Sequence, residues 1–351
     1  MIPKNYRTPA AQEALNRILK EAFTAGDIAN LMASVDSEAK PEKALQFFDA
    51  SAVQAVAVRT EGRCAGWLKR EDCLNSEASS CAEIMRPFSE HPVISDRAPL
   101  QEVILSLAKA SPVFVKILGE TAACITLRDI QDAPVRMWLF GLISLMEMLM
   151  YRGVVSQMPG DTWKEFISPG RLARTEALWE ERLRRGEKIA LIDCLQFADK
   201  ADILLRNPKT ADALHFASRR KGQEYFSELE NLRNNLVHSQ LLTEENMPTI
   251  TSLALTMDIL LMVESTPLMP NSDKPIQDFN NLAELIQKHR GDFPALASLP
   301  GIVIPPPTPK GKLPPQRKAP KPPKTPQTPE AAKAAEEAAL RRRQRLESQN
   351  S

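Results

Sequence analysis

The region from about Thr24 to Asp132 is written twice. In the first copy an amphipathic helix over residues 41–50 leads to the alternating stretch Val53-Gln54-Ala55-Val56-Ala57-Val58, then to a turn at Glu61-Gly62-Arg63. A second strand, Cys64 to Leu68, follows and closes on Asp72. In the second copy a helix over residues 99–110 leads to Val113-Phe114-Val115-Lys116-Ile117 and a turn at Gly119-Glu120. A strand from Ala122 to Ile125 follows and closes on Asp129. Gly62 aligns with Gly119, Val58 with Val115 and Asp72 with Asp129, each pair 57 residues apart. A period of that length marks a duplicated supersecondary unit. Helical spacing in one segment and period two in the next give the unit an α+β character.

Helix, hairpin and helix at this period resembles the tandem CBS domain pair, a pseudo-twofold module that often binds adenosine nucleotides in the clefts between its halves. In that family a Thr or Ser three residues before an Asp holds the ribose and phosphate. The resemblance therefore implies a nucleotide site at Thr126, Arg128 and Asp129. The hydroxyl would donate to phosphate, the carboxylate would accept from the ribose hydroxyls, and Arg128 would add charge. The first copy has Lys69, Arg70, Glu71 and Asp72 at the equivalent place, so a second nucleotide site would rest on Lys69 and Asp72, with the lysine pairing a phosphate. The implied regulator is AMP, ADP, ATP or S-adenosylmethionine. The alternative is local: Asp129 and Asp72 would cap the helices that follow them.

From Ala133 to Ser265 no strand pattern survives. Helices are predicted over residues 136–151, 171–185, 189–206, 222–240 and 248–264, with Pro or Gly in their connections. The first and last are the most apolar and would form the centre of a bundle, with Trp163, Phe166 and Trp179 closing its end. The fourth carries Arg233-Asn234-Asn235-Leu236-Val237-His238. Tyr225, Leu229, Leu232 and Leu236 follow the helical period, while Asn234 and His238 share a face almost opposite that stripe. Arg233 lies between the faces, its stem long enough to swing a guanidinium toward the imidazole or a phosphate. No metal-holding set accompanies these residues, so chemistry here would be acid–base work by His238 with charge neutralisation by Arg233; the other reading is a solvated face. In the third helix Asp199-Lys200 interrupts an apolar run, either as a solvated edge or as a neighbour that orients His238 or Arg233.

In this helical setting Arg233, Asn234 and His238 resemble the RNxxxH signature of the HEPN superfamily. Its members are four-to-five-helix bundles that dimerise and are often metal-independent ribonucleases. The mechanism implied has His238 taking the proton of a ribose 2′-hydroxyl or protonating the leaving oxygen. Arg233 neutralises the pentacovalent phosphate and Asn234 orients one of them. One Arg and one His do not easily supply base, acid and oxyanion contact, whereas two copies across a twofold axis do, which implies a homodimer. No cofactor is expected for catalysis.

At 351 residues, 43% hydrophobic and 25% charged, the chain has the composition of an ordinary soluble protein with room for two or three cores. The expected organisation is a helical lead over 1–21, the pair over 22–132, a bundle of about five helices over 133–290, and a Pro-rich basic linker with a terminal helix over 291–351. The net charge of +1 hides an asymmetry, since residues 305–351 hold eleven Lys or Arg against four Glu. Eleven prolines between Pro305 and Pro329 give that stretch polyproline character, a segment suited to a partner protein. Five cysteines without CxxC spacing read as reduced thiols of a cytoplasmic protein. The apolar stretches 137–150 and 250–263 are about 14 residues long, too short to cross a bilayer. The expectation is a nucleotide-regulated, metal-independent endoribonuclease acting on RNA, of a kind serving stress or defence. The alternative is a non-catalytic nucleotide-sensing protein whose bundle binds a second copy or a partner.

Overall fold

The structure, a computed structural model, describes residues 9–50, 53–74, 76–208, 216 and 218–265. The Pro-rich linker and terminal helix expected within 291–351 lie outside the described residues.

Strands β3 (Val56–Thr60) and β4 (Arg63–Leu68) form one antiparallel hairpin, and β6 (Val113–Ile117) and β7 (Glu120–Ile125) form the other. Their correspondence reaches backbone detail. Register shifts fall at Val58/Arg59 and at Val115/Lys116, again 57 residues apart. Glu61 and Gly62 have φ of 51° and 80°, and Leu118 and Gly119 have 52° and 89°. Two successive positive φ values suit a primed hairpin turn, whose twist matches the strands it joins. The second turn therefore sits at Leu118-Gly119, one residue before the expected place, and β7 starts at Glu120.

The first strand starts later than its alternation suggests. Its parallel partner β2 (Ser34–Asp36) reaches back only to Ala57, so Val53, Gln54 and Ala55 lie ahead of the strand. In the second half β5 (Val93–Ser95) is the parallel partner of β6. β1 (Asn30–Leu31) leaves the first half and pairs antiparallel with β7 in the second. Arg86 returns the exchange by bridging Trp67 of β4. The two sheets are thus ordered β1-β7-β6-β5 and β2-β3-β4.

The sheets meet along Ala55, Trp67, Phe114 and Cys124. Val56, Ala57 and Val58 are all buried, as are Val113, Phe114 and Val115, so both faces of the central strands are covered. On its outer face the first half has a core of its own, in which Val56, Val58 and Leu68 pack with Ala44 and Phe48 of α2 (Pro41–Ala50) and Cys73 of α3 (Arg70–Cys73).

The second half shares its core. Val113, Val115, Ala123 and Ile125 join α4 (Leu100–Leu107) to α5 (Ala133–Gln157), and the cluster continues into α7 (Phe197–Arg206), α8 (Arg219–Val237) and α9 (Met247–Ser265). Gln101 of α4 donates to the Ala254 carbonyl of α9 at 3.0 Å. Trp138 of α5 donates to the Leu19 carbonyl at 2.9 Å, which seats α1 (Pro9–Lys20) on α5. At 25 residues α5 is much longer than its apolar stretch suggested, and its length and composition would suffice to cross a membrane. Here Val135, Trp138, Leu139, Leu142 and Ile143 are buried in the shared core.

The helix expected over 189–206 is interrupted. Residues Leu191–Cys194 make a single tight turn and α7 begins at Phe197. The cause is Asp199, whose carboxylate takes the backbone N–H of Gln196 at 3.0 Å and fixes that residue as an N-cap. Asp199 and Lys200 are both buried. Asp199 pairs with Arg171 of α6 (Pro169–Arg184) at 3.2 Å, and Lys200 with Glu147 at 2.8 Å. This pair is therefore neither a solvated edge nor the orienter of His238 or Arg233; buried charges need partners, and these two have them on α6 and α5.

Candidate functional site

Thr126 follows β7 and caps a short turn, Leu127–Gln131. Asp129 folds back over that turn: its Oδ2 accepts the Thr126 N–H at 2.6 Å and the Thr126 hydroxyl at 2.8 Å. Its Oδ1 accepts from the Asn30 amide of the exchanged strand β1 at 2.9 Å. Asp129 thus closes a capping box on the turn it lies in, while the helix that follows is capped at Asp132, and the same reciprocal box closes turns at Thr24–Asp27 and Thr243–Asn246. Such a box identifies a turn and does not by itself identify a ligand site.

The cleft beside it is more informative. Thr126, Arg128, Asp129 and Cys124 form one wall, β1 with Met32 a second, and Val53-Gln54-Ala55 a third, around about 440 Å³. Burial pushes the Cys124 thiol up to about 12, with Asp129 adding to the shift, so the thiol lines this space uncharged. Thr126 is buried, while Arg128 is exposed and its guanidinium makes no hydrogen bond among the described residues. Each Asp129 oxygen has two lone pairs, so Oδ1 keeps acceptor capacity after taking the Asn30 amide. Burial, helped by the neighbouring Asp129, raises the carboxyl of Asp132.

The first half closes the equivalent place. Asp72 accepts two hydrogen bonds from Arg86, Nε at 2.8 Å and Nη2 at 2.6 Å, besides the Lys69 N–H at 2.9 Å. The Arg86 hydrogen bond holds its carboxyl below the ordinary carboxylate range. Where the second half has Cys124 the first has Trp67, fully buried, with the rings of His91 and Phe114 each 5.0 Å away. The Lys69 ammonium lies 5.5 Å over the Trp67 ring. Both residues proposed for a second nucleotide site are thus engaged within the protein.

Arg233, Asn234 and His238 lie at the C-terminal end of α8. Leu229, Leu232 and Leu236 are buried as expected, joined by Phe226, which lies on the same seam. Asn234 and His238 are exposed and Arg233 is half-buried; their side chains make no hydrogen bond among the described residues. This end of α8 is tied to the second half by residues the sequence did not single out. Arg136, in the first turn of α5, donates to the carbonyls of Asn235 at 3.0 Å and Gln240 at 3.0 Å, capping the helix with a cation. Gln131 and Leu242 hold each other, the amide donating to the Leu242 carbonyl at 2.6 Å and the Leu242 N–H to Gln131 Oε1 at 3.0 Å. Only an arginine placed early in an apolar helix could have hinted at this.

No family model and no curated protein matches the chain. Among solved structures it is similar to the CBS-pair protein CBSX2 from Arabidopsis thaliana, at 15% identity and a TM-score of 0.29 over 33% of this chain and 96% of that one. CBSX2 in complex with AMP gives 16% identity and a TM-score of 0.29 over 33% and 98%. A conserved CBS domain protein of unknown function from Thermoplasma acidophilum gives 15% and 0.27 over 34% and 75%.

Proposed function

We propose that the chain is a CBS-pair sensor of one adenine nucleotide, bound in the second-half cleft, with its output at the C-terminal end of α8. The observation that carries this reading is the cleft itself: a carboxylate with acceptor capacity, buttressed by the Thr126 hydroxyl, and a guanidinium unpaired among the described residues converge on a space of about 440 Å³, within the range of small-molecule sites. The first half carries no equivalent invitation, because Asp72 and Lys69 are already occupied. Calorimetry with AMP, ADP, ATP and S-adenosylmethionine should find one site per chain. Asp129→Ala should weaken binding by about 1–3 kcal/mol, the worth of a charged hydrogen bond. Absence of binding by all four ligands removes the sensor reading.

For the output we propose metal-independent RNA cleavage by a homodimer. What supports it is the free, outward placement of Asn234 and His238 beside Arg233, which lets two copies of the motif address one phosphate. His238 would move the proton at the ribose 2′-hydroxyl or the leaving oxygen, and Arg233 would neutralise the phosphate. His238→Ala should lose cleavage by about 100-fold or more. A specific observation favours the second reading, a non-catalytic dimer or partner surface: among the described residues His238 has no group that fixes its tautomer. Single-stranded RNA left intact by the wild-type protein, with and without nucleotide, selects that reading. In either case Gln131 and Arg136 offer a route from the cleft toward α8: Gln131, two residues after Asp129, holds Leu242 in the loop that follows α8, and Arg136, in the next helix, binds the Asn235 carbonyl at the end of α8.

A further inference from the structure

The second-half cleft does not end at Arg128. Gln54 and Arg128 also line a second space, of about 320 Å³, which opens between the turn at 127–131 and the loop at 241–244. Its apolar side is made by Leu127, Ile130, Leu241 and Leu242, and Thr243 adds a hydroxyl. No part of the duplicated unit alone could build it, because one wall belongs to the loop that follows α8. The unpaired cation thus stands at the junction of two lobes, each large enough for a nucleoside-sized group.

We infer that the ligand of this chain is two-ended: a dinucleotide with one nucleoside in the cleft at Thr126–Asp129, its phosphate bridge at Arg128, and its second ring-bearing half in the lobe against Leu241 and Leu242. This rests on the nucleotide reading above and names the class of nucleotide. An anionic bridge belongs beside an exposed guanidinium free to make a forked contact. The second half supplies apolar contact on leucines without a second association cost, which is how linked groups gain affinity. It also puts ligand against the loop that Gln131 holds, so the dinucleotide reaches the loop that follows α8 and a mononucleotide does not.

The test is calorimetry on the full chain with AMP and with NAD, of which AMP is one half. NAD should bind at least about tenfold more tightly, a difference of roughly 1.4 kcal/mol. Leu241 is 70% exposed, so Leu241→Trp fills the lobe with little demand on the core, and in that variant the ratio of the two affinities should fall to about one. Thr243→Phe, at the same lobe, should do likewise, and circular dichroism checks that both variants are folded. Equal affinities in the wild type, or a ratio unchanged in both folded variants, overturns the two-ended ligand while leaving the sensor intact. Failure of both ligands to bind overturns the sensor reading and this inference with it.

Discussion

The two halves of the repeat share a backbone and have parted in almost everything attached to it. Strands, register shifts and left-handed turn residues coincide at 57-residue spacing. Yet Trp67 fills in the first half what Cys124 leaves open in the second, and Arg86 locks Asp72 where Asn30 only touches Asp129. The outer faces differ in the same direction. The first half completes its core with two short helices, while the second gives its face to α4, α5 and α9. A duplicated unit thus takes two forms, a closed half with a core of its own and an open half that shares its core with the helices, and the side chains at a handful of positions decide which is which.

The largest expected effect tests whether the shared core is one cooperative unit. Trp138→Ala empties the place where α1, α5 and the second half meet, and should cost about 3–5 kcal/mol. Phe48→Ala in the separate core of the first half should cost a comparable amount. What should differ is the reach: by hydrogen exchange Trp138→Ala deprotects Val115 in β6 and Leu229 in α8 together, while Phe48→Ala deprotects Val58 and leaves Leu229 as it was. Exchange confined to α5 in the first variant would divide the second half from the helices.

A smaller effect probes the lock on the closed half. Arg86→Ala leaves Asp72, whose side chain is only 12% exposed, without its main partner, and should cost about 1–3 kcal/mol. Because the folded pKa of Asp72 is lowered by Arg86, the stabilisation is fully present above the unfolded value of about 3.9 and is lost as pH falls through the folded value. The wild type should therefore lose stability on acidification below about pH 4 more steeply than Arg86→Ala. Parallel acid limbs in urea titrations would show that the ion pair contributes nothing to the closure.

Much of this was legible and the reasons are physical. Helices and hairpins advertise themselves through periodicity, and the 57-residue spacing found the duplication. The exchange of β1 and Arg86 between halves could not be read, because a two-residue strand has no period and its pairing depends on a partner nearly a hundred residues away. Asp199 misled for a related reason: an acidic residue in an apolar run reads as an exposed edge, whereas here it is buried against Arg171 and caps α7. For the candidate site, Thr126, Arg128 and Asp129 were singled out through the family resemblance, but Asn30 and Gln54, which line the same cleft, come from other segments and carry no motif. Arg136 and Gln131 act on backbone carbonyls and an amide, for which side-chain patterns leave no trace.

The smallest effect concerns what the halves still have in common. Gly62 and Gly119 occupy the second position of their turns at φ of 80° and 89°, and a Cβ added at either would meet nothing within 4 Å. Substitution by alanine therefore tests backbone conformation alone, free of packing. An L-residue in the left-handed region pays roughly 1 kcal/mol or a little more through the clash of its Cβ with the carbonyl that follows. Gly62→Ala and Gly119→Ala should each lower unfolding free energy by about that amount, and by the same amount within error, since both turns sit at the solvent end of a hairpin. Divergence between the halves would then be confined to their side chains. If Gly119→Ala costs distinctly more, the second hairpin is under a constraint that the first is not, and the fused core reaches further along β6 and β7 than the buried residues indicate.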